Sequence, residues 1–228
     1  MQALLFIAVL LISYLLGSVP SGLLLVKLIS GKDLRAIESG RTGGTNAMRA
    51  AGFWVGLGTA ILDMLKSAAS VWLARVLLPG NAWLQVIAPI LAILGHNYSI
   101  FLIERGEKAP LRLRGGAGGA PAVGGAFGLW MPSILILVPF GLLILYFVGY
   151  ASVATLSVAL ITTLIFTYRL WVGASPWEYV LYGLLAEILL IWALLPNIQR
   201  LFKGTERLVG FRARRKAPQP QSTHSQPR

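Results

Sequence analysis

Long apolar runs separated by short polar stretches set the pattern of this chain. A helix needs roughly 20 apolar residues to cross a bilayer. The first such run covers about residues 3–28 and is interrupted by "GSVPSG"; the second covers about 52–78 and the third about 82–103. From 118 to 195 the sequence is almost continuously apolar, with breaks at "LWMPS", "VGYAS" and "YRLWVGASPWE". Those breaks give segments at about 117–130, 132–149, 151–168 and 177–195. The pattern predicts an all-α integral membrane protein of about seven transmembrane helices, the fourth too short to cross unaided. Six crossings with a re-entrant fourth segment is the alternative. No fixed-period repeat is present.

Composition excludes an ordinary soluble domain. Charged residues make up 12% of the 228 positions and hydrophobic ones 56%, whereas soluble domains carry about 25% charged residues. Without cysteine there is no disulfide and no thiolate metal site. The N-terminus "MQALLFIAVLLISYLLG" has no basic n-region and no A-x-A-like site, so it reads as a retained span, not a cleaved signal. Residues 1–210 read as one polytopic membrane domain, and 211–228 as a basic, disordered cytoplasmic tail.

Charge then orients the spans. Short cytoplasmic loops collect Lys and Arg. Lys27, Lys32, Arg35, Arg41 and Arg49 surround the first loop; Arg105, Lys108, Arg112 and Arg114 follow the third span; Arg200, Lys203 and Arg207 begin a basic C-terminal stretch. Seven crossings put all three clusters on the cytoplasmic side and the N-terminus outside. Topology and anionic lipid account for the net charge of +12 without nucleic acid.

Between the first two spans lies "ESGRTGGTNAMRAAG", residues 38–52. Glycines expose backbone N–H groups, Ser39, Thr42, Thr45 and Asn46 exchange hydrogen bonds, and Arg49 supplies a forked cation where the next helix starts. Such a loop suits phosphate; a solvated loop whose arginines only set topology is the plain alternative. "RLRGGAGGAPAVGG", residues 112–125, has the same character on the same side, although small residues also serve close helix packing. Within the spans, Asp63 and Lys66 lie three apart and face each other on one helix, as a structural pair or a functional one. His96 in "GHNYS" is a base or a packing histidine, and Glu187 in the last span has no evident partner.

These stretches together resemble the bacterial glycerol-3-phosphate acyltransferases that use acyl phosphate as donor. "GSVPSG" is followed by "GKDLRAIESGRTGGTNAMRAAG", where the family reads roughly G-K-D-x-R-x-x-G-S-G-N-x-G-A-T-N-x-x-R. "DMLKS" stands against D-x-x-K-G, "GHNYSIFL" against G-H-x-x-x-x-F, and "RGGAGGAP" against K-G-G-K-G-V-A-T. "NIQRLFKGTE" stands against N-I-x-R-L-x-x-G-T-E, so order and spacing hold over about residues 14–206. The resemblance implies a seven-span fold in the bacterial inner membrane with a cytoplasmic-side site. Acyl phosphate and glycerol 3-phosphate are the partners it implies, with no cofactor, no metal, no nucleic acid and no obligate protein partner.

Carried over by position, the phosphate-binding residues are Ser39, Gly40, Gly43, Thr45, Asn46, Arg49, Lys66, Gly115, Gly116, Gly118, Asn197 and Arg200, with Arg114 in place of a family lysine. Ser39, Asn46, His96 and Asn197 are the catalytic candidates. The chain departs from the pattern at Glu38, at Gly44, at Arg41 (an Asn in the family), at Ala117 (a Lys) and at Leu194 (a His), and "IERGEKAPLRL" is extra. If Arg41 or Arg112 points inward, it replaces the charge absent at Ala117. A relative that binds or carries a phosphorylated lipid or metabolite is the other reading of these departures.

Overall fold

The computed structural model describes residues 1–106 and 109–209, with side chains outside 105–112. The tail expected to be disordered, Lys108 and the Arg112 side chain therefore lie outside the described residues. The helices are α1 (Gln2–Ser18), α2 (Ser21–Ser30), α3 (Gly44–Ala51), α4 (Phe53–Leu77), α5 (Ala82–Asn97), α6 (Gly119–Leu129), α7 (Ile134–Phe147), α8 (Ala151–Trp171) and α9 (Glu178–Phe202). Three stretches, Gln2–Ser30, Ala151–Trp171 and Glu178–Phe202, are long and apolar enough to cross a membrane, and Ala82–Asn97 and Met131–Phe147 are shorter apolar helices.

The molecule is apolar on the outside as well as in its core. Leu4, Trp54, Leu135, Leu164 and Trp192 are all exposed on helix surfaces, which a bilayer solvates and water does not. The core gathers Val71, Ile93, Ala126, Leu137, Phe166, Tyr182 and Leu190 around α6. Only small residues let α6 sit there: a Cβ on Gly124 would run into the Met64 backbone of α4. Helix α1 packs along α5 in the same way, with Gly17 against the Ala92 backbone.

The polar interruption "GSVPSG" breaks the first span between α1 and α2. Pro20 has no N–H to donate, so carbonyls around it lose helical partners. Ser99 Oγ donates to Ser18 O at 2.6 Å and Lys66 Nζ to Val19 O at 3.0 Å. The freed backbone thus ties the first span to α4 and to the end of α5.

Three sequence expectations need correction. The third span stops at Asn97, and the chain then forms an antiparallel hairpin of β1 (Ile103–Gly106) and β2 (Ala109–Leu113). The extra segment "IERGEKAPLRL" supplies the two strands of this ribbon, a small addition to an otherwise helical fold. The polar loop does not run straight into the second span, because α3 intervenes and Gly52, at φ 91°, turns the chain before α4. Finally, α9 continues to Phe202 and carries Asn197 and Arg200 on its last two turns.

Candidate active site

Three segments converge at one end of the bundle around a cavity of about 620 Å³. The first is the loop after α2. Asn46, on α3, holds it with one amide: Nδ2 donates to Ile37 O at 3.0 Å, Arg41 O at 2.9 Å and Leu34 O at 3.3 Å. Ser39 Oγ accepts from Arg41 N at 3.4 Å. Asn46 and Ser39 thereby shape the loop, and Asn46 Oδ1 is buried with no partner among the described residues.

The hairpin delivers the second segment. Arg114 N donates to Leu102 O at 3.0 Å and Ser99 N to Arg114 O at 3.1 Å, which turns Gly115–Gly118 back onto the end of α5. Gly116 N donates to His96 O at 2.9 Å, and Thr42 N to Gly115 O at 3.3 Å, joining the two glycine loops. Gly116 has to be glycine, because a Cβ would strike His96 Nε2. Gly118 caps α6 at φ 82°, beside the Asn97 amide, whose Nδ2 and Oδ1 are buried with no partner among the described residues.

The third segment is the end of α9 and the strand-like stretch after it. Asn197 Nδ2 donates to Glu206 Oε1 at 2.8 Å and Arg200 Nε to Glu206 Oε2 at 3.1 Å. Arg207 pairs with Glu38 across the cavity mouth, and Val209 N donates to Gly149 O at 2.8 Å. This stretch therefore straps the first loop to α9.

Arg41 joins all three segments. Its Nη1 donates to Gly116 O at 3.1 Å, and its Nη2 to Ala193 O at 2.6 Å and Asn197 Oδ1 at 3.1 Å. Burial and the nearby Arg200 cation push the Arg41 guanidinium below its ordinary value. Behind the cavity, Lys66 Nζ lies 2.9 Å from Asp63 Oδ1 and 3.0 Å from His96 Nδ1. A charged Lys66 donates to that nitrogen, which assigns the imidazole proton to Nε2.

Of the sequence candidates, Ser39, Gly43, Thr45, Asn46, Arg49, His96, Gly118, Asn197 and Arg200 line the cavity. Gly40, Lys66, Arg114, Gly115 and Gly116 stand outside its lining. Gly116 and Lys66 support lining residues from behind, while Arg114 pairs with Glu104 at 2.8 Å on the hairpin. Sequence reasoning did not single out Glu206, Arg207, Ser152 or Thr155, which also line it. Glu206 ends the quoted "NIQRLFKGTE" and was the one with a visible signal. The lining also includes apolar Phe53, Leu57 and Leu142, exposed on the outer surface of α4 and α7. The site is thus cationic at one end and greasy at its side.

A sequence model described as glycerol-3-phosphate acyltransferase matches residues 7–204. The chain belongs to that family. It is 34% identical to the glycerol-3-phosphate acyltransferase of Rhodopseudomonas palustris (strain BisB5) over 205 residues, covering 90% of this chain and 96% of the relative. The glycerol-3-phosphate acyltransferase of Rubrobacter xylanophilus is 35% identical over 208 residues, covering 89% and 94%. The fold is similar to the crystal structure of PlsY (YgiH), an integral membrane glycerol 3-phosphate acyltransferase, in its glycerol 3-phosphate form. The TM-score is 0.77 at 27% identity, covering 93% of this chain and 99% of that one. The lysophosphatidic acid form of the same acyltransferase gives 0.74 at 26% identity, covering 90% and 95%.

Proposed function

We propose that this chain transfers an acyl group from acyl phosphate to sn-glycerol 3-phosphate in phospholipid synthesis, yielding 1-acylglycerol 3-phosphate and inorganic phosphate. The observation that carries the reading is one cavity in which Arg41, Arg49 and Arg200 face a space bordered by lipid-facing Phe53, Leu57 and Leu142. Two phosphates need the cations; the acyl chain needs the apolar side.

The glycerol hydroxyl attacks the acyl carbon of the mixed anhydride. The acyl carbon–oxygen bond to phosphate breaks, phosphate leaves with that electron pair, and the hydroxyl proton passes to a substrate phosphate oxygen. The donor is already activated, so the protein works by holding the reactants and balancing charge. Asn46 and Asn197 are positioning residues in this scheme, because their amides hold the Arg41 loop and Glu206. His96 is not the base: Nδ1 accepts from Lys66 and Nε2 abuts Gly116. The direct test is incubation of the purified protein with acyl phosphate and glycerol 3-phosphate, following released phosphate and acylated product. If neither forms, the proposed reaction is wrong.

Arg49 stands at the cavity mouth with no hydrogen bond or ion pair among the described residues. Arg49→Ala should raise the KM for glycerol 3-phosphate by about ten- to a hundredfold, the value of one or two charged hydrogen bonds. Arg49→Lys should recover little of it, since a point charge does not replace the fork. An unchanged KM in the alanine variant removes Arg49 from the site.

The cavity faces the cytoplasm in this reading. The support is that the first basic loop, the hairpin end and the last turns of α9 meet at one end of the bundle, and that this end carries the basic clusters. The chain has no cysteine, so Arg35→Cys, Ala109→Cys and Pro220→Cys each introduce a single one. None should react with an impermeant thiol reagent added outside sealed cells, and labelling of any of them refutes the orientation.

A further inference from the structure

Arg41 is built unlike a cation whose task is to set topology. Its guanidinium lies in the cavity wall, fixed by Gly116 O, Ala193 O and Asn197 Oδ1. All three partners are neutral, and no carboxylate pairs with Arg41 among the described residues. Three of its five N–H groups are used, and Nε–H and one Nη1–H have no protein partner among the described residues. A half-buried cation in that state favours an anion strongly. The nearby Glu206 carboxylate is held by Asn197 and Arg200, and its attraction for Arg41 is opposed by the Arg200 cation. Across the cavity wall, Ala117 lines the same space from the second glycine loop and carries no charge.

We propose that Arg41 is a substrate-binding residue that holds the phosphate group of a phosphorylated substrate against the Gly116–Gly118 loop, supplying the charge that Ala117 does not. This rests on the proposed acyl transfer for the identity of the substrate, but phosphate binding is measurable without turnover. The arrangement is rigid because the partners lie in two separate segments: residue 116 in the hairpin-held loop, and 193 and 197 in α9. The guanidinium is thus set in place before substrate arrives, which limits the entropy lost on binding.

The test uses the full chain in detergent with inorganic phosphate as probe, read as the phosphate concentration that raises the melting temperature. Arg41→Gln should need about ten- to a hundredfold more phosphate than the parent, and Arg41→Lys should fall between them. In the Arg41→Gln background, Ala117→Lys should return most of the lost affinity. A purely structural Arg41 predicts no such recovery. Phosphate affinity within about twofold of the parent in a folded Arg41→Gln, or no recovery in the double variant, overturns the inference.

If Arg41→Gln does not fold, phenylglyoxal modification of the parent decides instead, mapped by peptide mass. Phosphate should slow modification at Arg41 and not at Arg169, which stacks over Trp130 and bonds Ala174 O. Equal rates at Arg41 with and without phosphate overturn the inference. A parent that binds phosphate through Arg41 yet transfers no acyl group sinks the proposed reaction and leaves this inference standing.

Discussion

Lys66→Met is expected to destabilise the protein by about 3–5 kcal/mol, because it strands a buried charge. The Asp63 side chain is 1% exposed and that of Lys66 7%. The ammonium lies 2.9 Å from Asp63 Oδ1, and among the described residues neither buried Asp63 oxygen has an aligned hydrogen-bond donor, His96 Nδ1 standing 3.5 Å away. Removing the lysine also takes the donor from Val19 O, at the break of the first span, and from His96 Nδ1. Asp63→Asn combined with Lys66→Met removes both charges, and a pair replaced by neutral groups of similar size costs far less than a pair broken. Thermal unfolding in detergent of the parent, the single and the double variant reads this directly. Equal midpoints for Lys66→Met and the double variant would show that the charge of Asp63 is not what the lysine offsets.

That pair was legible in the sequence because its residues are three apart on one helix, where spacing alone fixes the contact. The apolar helices were legible for a similar reason: hydropathy is local, and α4 (Phe53–Leu77) falls within a residue of the expected 52–78. What was not legible depended on distant segments meeting. The hairpin hides in a charged stretch with a proline, and only its closure, Ser99 N to Arg114 O at 3.1 Å, shows why the chain needs it. The last segment was expected to end at about 195, yet α9 runs on past Pro196 and one of its carbonyls goes to Arg41. Arg41 stood out as a departure from the family pattern, but whether it points inward was not legible. Its partners are 75, 152 and 156 positions away, beyond any local pattern. The glycine loops were visible as composition, but their division of labour was not. Gly118 reaches the cavity while Gly115 and Gly116 back it.

That division makes Gly116→Ala a damaging small substitution at the site. Gly116 is fixed on both sides: its N–H donates to His96 O at 2.9 Å and its carbonyl accepts from Arg41 at 3.1 Å. The added methyl would occupy the space of the His96 ring at Nε2. The ring cannot swing aside cheaply, since Lys66 holds Nδ1 at 3.0 Å. Either the imidazole leaves its place or the loop backs away and carries Arg41 with it. Overpacking of this kind costs about 1–3 kcal/mol, so the variant should still fold, with a lower melting temperature. Catalysis should suffer more than stability. A displacement of about 1 Å in a positioning group lowers a rate by about a hundredfold, and acyl transfer should fall by at least that much. Gly118→Ala offers a contrast: at φ 82° it carries left-handed backbone strain of about 1–2 kcal/mol, with its nearest neighbours Asn97 and Leu190 instead of His96. The cause can be isolated by adding His96→Ala, which opens the space the methyl needs. The double variant should then melt higher than the sum of the two single effects predicts. Gly116→Ala that keeps acyl transfer within about threefold of the parent would mean that the loop tolerates a shift, and that the seating of Arg41 on Gly116 O does not set the rate.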